Sequence, residues 1–163
     1  MIIYKDIVRN HEMFSEAIIA KDIEDPLFYV VKGKMIAPDV EEGTPEDEIE
    51  KVIDIPYYQG LDELQLDTFT AKMFQANVKS FLKPIISKIK KEGGDEAKEA
   101  FMEKVKEFMN THCKDKKTFE QYSYYIHNDD YEHLDNCFIV ICKWEGETPL
   151  FYFWKDGLKT EKC

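Results

Sequence analysis

The strongest constraint on this chain lies in its middle, where apolar residues recur at helical spacing over a long stretch. Phe74, Val78, Phe81, Leu82, Ile85, Ile86 and Ile89 stand three or four residues apart, so they share one arc of a helix from about residue 71 to 91. Thr70 is placed to cap this helix, and Phe69 to staple onto Phe74. Pro84 falls inside the pattern and removes one backbone hydrogen bond; because the apolar arc continues beyond it, a bend is expected rather than a break. Gly93-Gly94 ends the helix, and Asp95 can cap a second one with Ala97, Phe101, Val105, Phe108 and Met109 on its apolar face. Two amphipathic helices with so short a connection must fold back on each other. The result is an antiparallel helical hairpin over about residues 70–113.

The pattern changes to β on either side. Ile2 to Tyr4, Phe28 to Val31, Val52 to Ile55, Tyr122 to Ile126, Cys137 to Trp144 and Leu150 to Trp154 are rich in β-branched and aromatic residues. Glu145 to Pro149 reads as the turn of a hairpin joining the last two. Strands near both termini with helices between them predict an α+β domain whose chain ends meet in one sheet system. A length of 163 residues fits one domain, residues 1–163, and 44% hydrophobic residues suffice for its core. Residues 37–51 belong to neither class. They hold Asp39, Glu41, Glu42, Glu46, Asp47, Glu48 and Glu50 between Pro38, Gly43 and Pro45, too little apolar surface to order a segment, and they predict a mobile acidic loop with room for one helical turn after Thr44-Pro45.

Charge narrows the function. With 22 basic and 33 acidic residues the net charge is −11, which opposes general binding to nucleic acid or to anionic membrane, since both rest on neutralising phosphates. The longest apolar run, Cys137 to Cys142, is too short to cross a bilayer, and Asp6, Arg9, Glu12 and Glu16 interrupt any secretory signal. The cysteines Cys113, Cys137, Cys142 and Cys163 show no Cys-x-x-Cys spacing, so reduced thiols in a cytoplasmic setting are expected. No phosphate-cradling glycine loop, nucleophile elbow or His-Glu-x-x-His is present.

One charged pattern stands out within the acidic whole. Lys72, Lys79, Lys83 and Lys90 are spaced by seven, four and seven, which aligns them on one narrow stripe of the first helix. Glu92 is the acidic residue near its end. A solvated face and a docking ridge for acidic partners are the two readings. The segment His127 to Cys137 is dense in potential ligands, but His133 with Cys137 is only a pair, and a polar loop between strands accounts for it.

The ends of the chain carry a resemblance. Met1-Ile2-Ile3-Tyr4-Lys5-Asp6, then Glu12-Met13-Phe14-Ser15, and finally Phe153-Trp154-Lys155-Asp156-Gly157-Leu158-Lys159-Thr160-Glu161-Lys162-Cys163 resemble the translationally controlled tumour protein family. Val31-Lys32-Gly33-Lys34-Met35 and Val52-Ile53-Asp54-Ile55 are similar to segments of it as well. The resemblance implies a tent of small mixed β-sheets with a projecting helical hairpin, a fold shared with Rab-binding, guanine-nucleotide-free chaperones. It implies a cytoplasmic, non-enzymatic protein that binds partners in growth and survival control: tubulin or microtubules, small GTPases and apoptosis regulators. No cofactor is required, and weak calcium binding is implied with no residues assigned.

The resemblance also bears on particular residues. It assigns Glu12 to a GTPase contact, against the plain reading of Glu12 as an exposed turn carboxylate or helix cap. The second acidic position of that contact follows the strand ending Tyr125-Ile126, and here His127-Asn128 stands in its place, with Asp129 or Asp130 as substitutes. It places tubulin on the helical region, where the lysine stripe suits acidic tails. Two alternatives accompany this reading. One is an exchange factor or nucleotide-free chaperone for a small GTPase. The other is a thiol reductase, since the fold class also resembles methionine sulfoxide reductases. Cys137 and Cys142 are expected on opposite faces of one strand and unable to bridge each other. Cys163, at the terminus, is the candidate for a disulfide-linked dimer of an otherwise monomeric protein under oxidation.

Overall fold

The computed structural model describes residues 1–38 and 40–162. Asp39 of the acidic segment and Cys163, the candidate for an intermolecular disulfide, lie outside the described residues.

Alternating apolar and aromatic residues build the central sheet. Strands β1 (Ile2–Asp6), β2 (Glu12–Ser15), β3 (Phe28–Lys32), β4 (Met35–Ile36) and β5 (Val52–Ile53) precede a short helix, α1 (Asp54–Gln59), and β6 (Leu61–Glu63). The long helix α2 (Ala71–His112) and a single turn, α3 (Lys116–Phe119), lead into β7 (Ser123–His127), β8 (Val140–Glu145), β9 (Thr148–Trp154) and β10 (Leu158–Lys162). Five strands form one antiparallel sheet in the order β3-β9-β8-β7-β6. β9 is paired on both edges, with Phe151 opposite Val31 on one side and Cys142 on the other. A two-residue turn at Gly146-Glu147 joins β8 to β9, and Gly146 takes the left-handed φ of 64° that such a turn needs.

The chain ends meet as expected, but through a strand beyond the Leu150–Trp154 segment read from sequence. β10 pairs with β1 from Ile2↔Lys162 to Asp6↔Leu158, and β2 closes the other edge of this three-stranded sheet. β4 and β5 make a separate two-stranded ladder. The acidic segment between them carries a 3-10 turn at Glu46–Glu48, the helical turn anticipated after Pro45.

The middle of the chain is the expected hairpin. Thr70 accepts the Met73 N–H at 3.2 Å, and the rings of Phe69 and Phe74 lie 6.4 Å apart. α2 continues through Pro84, which faces solvent, so the Ser80 carbonyl deprived of its partner can bond water. It reverses at Gly94, whose φ of 77° and ψ of −173° are open to glycine alone. His112 consequently returns to within 5.7 Å of Phe74, although 38 residues of straight helix would span about 57 Å.

Several boundaries differ from the sequence reading. The strand expected at Val52 to Ile55 stops at Ile53, because Asp54 turns to start α1 and accepts the Lys34 and Ile55 N–H groups. Cys137, Phe138 and Ile139 precede β8 instead of belonging to it, so Cys137 and Cys142 do not share a strand; both are fully buried. Glu12 is neither a turn residue nor a helix cap but the exposed first residue of β2. β10 lies outside the segments that read as strand, since Leu158 to Lys162 is mostly charged and is held as a strand by pairing with β1.

Where the hairpin closes on the sheet, an aromatic cluster surrounds one buried histidine. Tyr124 stacks on Phe119 at 4.5 Å and donates its hydroxyl hydrogen to the Phe119 carbonyl at 2.8 Å. The same oxygen is 2.8 Å from His112 Nε2, so His112 donates there and is the neutral Nε2–H tautomer. Burial pushes its pKa down from 6.5 to about 4. The unfolded chain therefore takes up this proton first. Stability carried by neutral His112 is complete above pH 6.5, declines as pH falls below it, and has been lost by about pH 4. Denaturant titrations across that window should show a loss of up to about 3 kcal/mol from this group, and His112→Gln should flatten the dependence. An equal slope in the variant would assign the effect to other groups.

Candidate metal-binding and partner site

Two loops that are distant in sequence meet beside the terminal sheet. The first follows β1. Asp6 is fully buried, and its Oδ1 accepts the backbone N–H groups of Val8, Arg9 and Asn10 while Oδ2 accepts that of His11. One carboxylate thereby holds the whole turn, in which Asn10 adopts a left-handed φ of 64°. The turn presents His11 immediately before Glu12.

The second loop follows β7. Asp130 is also fully buried; its Oδ1 lies 3.1 Å from His11 Nε2 and 3.4 Å from Arg9 Nε. Its Oδ2 is buried with no hydrogen-bond partner among the described residues. The imidazoles of His11 and His127 stack face to face, centroids 3.7 Å apart and planes 5° from parallel. His127 Nδ1 accepts the Asp129 N–H at 3.1 Å and stands 3.7 Å from Asp129 Oδ2. The loop is tied down from the helix: Asn77, buried on α2, donates through Nδ2 to the carbonyls of Leu134 at 2.8 Å and Cys137 at 3.0 Å.

The arrangement joins two features that the sequence reading kept apart. The loop bearing His127 and Asn128 packs against His11, the residue that precedes Glu12. Asp130 cannot stand in for the missing surface carboxylate, being fully buried, whereas Asp129 is exposed. An open depression of about 510 Å³ adjoins this loop, lined in part by Met35, Tyr57, Leu61, Tyr125 and Asn128. Met35, Tyr57 and neighbouring Tyr58 are unusually exposed for their size.

Among the described residues, donor groups come together as His11, His127 and Asp129 and as Asp6, His11 and Asp130. Neither fits calcium well, since a hard cation takes six to eight oxygens and each set includes an imidazole. The Asp6, His11 and Asp130 set was missed from sequence because Asp6 and Asp130 are 124 positions apart.

The lysine stripe is as expected on exposure: Lys72, Lys79, Lys83 and Lys90 are all exposed on the first arm of α2. Its end is better partnered than sequence implied, with Asp95 Oδ1 3.5 Å from Lys90 Nζ across the helix reversal. Cys113, Cys137 and Cys142 are buried free thiols, each pushed up to about 12 by burial. That is the opposite of the exposed, acidic thiol a reductase needs. No helix among the described residues is long and apolar enough to cross a membrane.

Small antiparallel sheets, joined termini and a long helical hairpin define the class as a mixed α+β protein of tent-like architecture. The family model for translationally controlled tumour protein matches residues 1–159, and the chain belongs to that family. It is 29% identical to the translationally controlled tumour protein homologue of Lateolabrax japonicus and 27% identical to the human protein, each alignment covering both chains completely. The Caenorhabditis elegans protein, in its solution structure, has a TM-score of 0.74 at 28% identity over all of this chain and 99% of that one. The Schizosaccharomyces pombe protein superposes over the full length of both with a TM-score of 0.76 at 23% identity, a likeness of fold.

Asn77 tests how firmly the helix sets the site. Asn77→Leu leaves the buried Cys137 carbonyl and the part-buried Leu134 carbonyl without this donor, so it should lower stability by about 1 to 3 kcal/mol in urea denaturation. Faster amide exchange should be confined first to residues 128–137. Unchanged exchange there would show that the loop is held by other contacts.

Proposed function

We propose that this protein is a cytoplasmic, non-enzymatic interaction protein that binds protein partners in growth and survival control, with a small GTPase on the Glu12 surface. What supports the reading is the stacking of His11 on His127, which brings the loop bearing exposed Asn128 against the residue next to exposed Glu12 in the chain. Tyr57, Tyr58 and Met35 alongside supply the aromatic and methionine content typical of interface anchors. Exchange activity or nucleotide-free chaperoning is the narrower alternative, and Asn128 in place of a carboxylate weighs against it. Calcium enters only as a weak property of exposed acidic loops, with no residues assigned. The protein acts as a monomer, with Cys163 the candidate for a covalent dimer under oxidation. Apoptosis regulators are further partners of the same kind, for which no residue is singled out.

Glu12→Val tests the GTPase surface. The exposed carboxylate carries no core packing, so the fold should persist while affinity for a bound GTPase falls by about 1 to 3 kcal/mol, read by calorimetry. Equal affinity for both proteins would remove Glu12 from the interface.

The lysine stripe supports a second surface, for acidic tails such as those of tubulin. Converting Lys72, Lys79, Lys83 and Lys90 to Gln keeps helix propensity and removes four charges. Microtubule co-sedimentation by the unaltered protein should fall steeply above physiological salt, where exposed charges are screened beyond about 8 Å, and the variant should sediment poorly at every salt concentration. Salt-insensitive or equal sedimentation would leave the stripe a solvated face.

A further inference from the structure

We propose that His11, His127 and Asp129 form a capture site for a borderline divalent cation of the zinc type, with Asp130 as the residue that orients His11. This inference does not depend on the partner reading above.

The donor set carries the chemistry. Two imidazoles and a carboxylate with a fourth position left to water is a common complement for zinc in an open site. The donor atoms of the three residues already lie within 4.8 Å of one another. In a tetrahedral zinc site with nitrogens about 2.0 Å from the metal, neighbouring nitrogens are about 3.3 Å apart, so closure requires only side-chain movement. The side chains of His11 and His127 are each partly exposed and that of Asp129 is largely so, which gives an ion access.

The second observation is the buried carboxylate behind the site. Metal-bound histidines usually donate their other ring N–H to a carboxylate, which fixes the tautomer and makes the ligand more basic. Asp130 Oδ1 stands 3.1 Å from His11 Nε2, which leaves Nδ1 of His11 as the nitrogen available to the metal. Asp130 is completely buried, and its Oδ2 has no hydrogen-bond partner among the described residues. The cation shared with it is Arg9, on Oδ1. Part of a buried negative charge is thus left unsatisfied directly behind the imidazole, and a cation on His11 would offset it.

The stacked pair must open for the ion to bind. Rings held parallel at 3.7 Å direct their in-plane lone pairs along separate planes and cannot both point at one ion. His127 is the member free to turn: it ends β7, and its Nδ1 contact is to the adjacent Asp129 backbone. Capture therefore replaces the stack and that local hydrogen bond with coordination, and it reorders the loop that carries Asn128.

The test uses the full chain with Cys163→Ser, so that the terminal thiol cannot supply a ligand. Titration of chelator-treated protein with zinc chloride should show one saturable equivalent by calorimetry. Proton resonances of the His11 and His127 rings should shift together as the stack opens. His11→Gln and His127→Gln should each weaken binding at least about tenfold, and Asp130→Asn by about tenfold through loss of the orienting contact. Asp129→Asn alters a largely exposed side chain that cannot unfold the protein, and it should also weaken zinc. Magnesium should not compete. Absence of saturable binding, or zinc affinity unchanged in Asp129→Asn and His127→Gln, overturns the proposal, as would histidine resonances that do not move.

Discussion

Everything in this protein leans on the contact between the first arm of α2 and the two sheets beneath it. Phe74 packs 5.1 Å from Tyr124, and Phe81 meets Phe138 edge-on at 5.3 Å. Gly157 lies under Phe81 so closely that a Cβ there would sit 2.8 Å from the ring. That glycine belongs to the turn carrying the chain from β9 to β10, so the helix is pressed onto the point where the five-stranded sheet hands over to the terminal one. Burial of these rings provides the dominant driving force and, because cores are close-packed, also sets the relative position of both sheets. The second arm contributes less: Phe101 and His112 are its buried members before Cys113, and its remaining residues are exposed or half-buried.

Polar groups inside this frame are used as fasteners. Asp6 organises one loop through backbone N–H groups, Asn77 holds another from the helix, and Asp130 links the two through His11 and Arg9. A buried carboxylate is costly unless bonded, and Asp6 meets that cost entirely with backbone donors. Asp130 meets it only in part. The asymmetry makes the second loop the place where binding energy can still be gained, while the first serves as its platform.

Much of this was legible in the sequence because it rests on local pattern. Helical spacing from Phe74 to Ile89, Thr70 as cap, Gly94 as the reversal and Gly146 in its turn each follow from residue type over a few positions. The errors occurred where local preference is weak. Leu158 to Lys162 is a strand only because β1 pairs with it, and Cys137 to Ile139 reads as strand by composition but precedes β8, with the Cys137 carbonyl bonded to Asn77. Val52 to Ile55 is strand only as far as Ile53, since Asp54 accepts two backbone donors that lie outside any strand pattern.

By itself the sequence determined the fold class, the hairpin and the family, since each is written in periodicity or in contiguous motifs. Only the tertiary structure decided the site. His11 and His127 are 116 positions apart, and nothing in either neighbourhood anticipates a stack between them. Their meeting depends on β1 and β7 belonging to sheets that one helix presses together, and on two buried carboxylates that hold the following loops in place. Side chains that act jointly across sheets are selected by packing geometry, which no local spacing rule encodes.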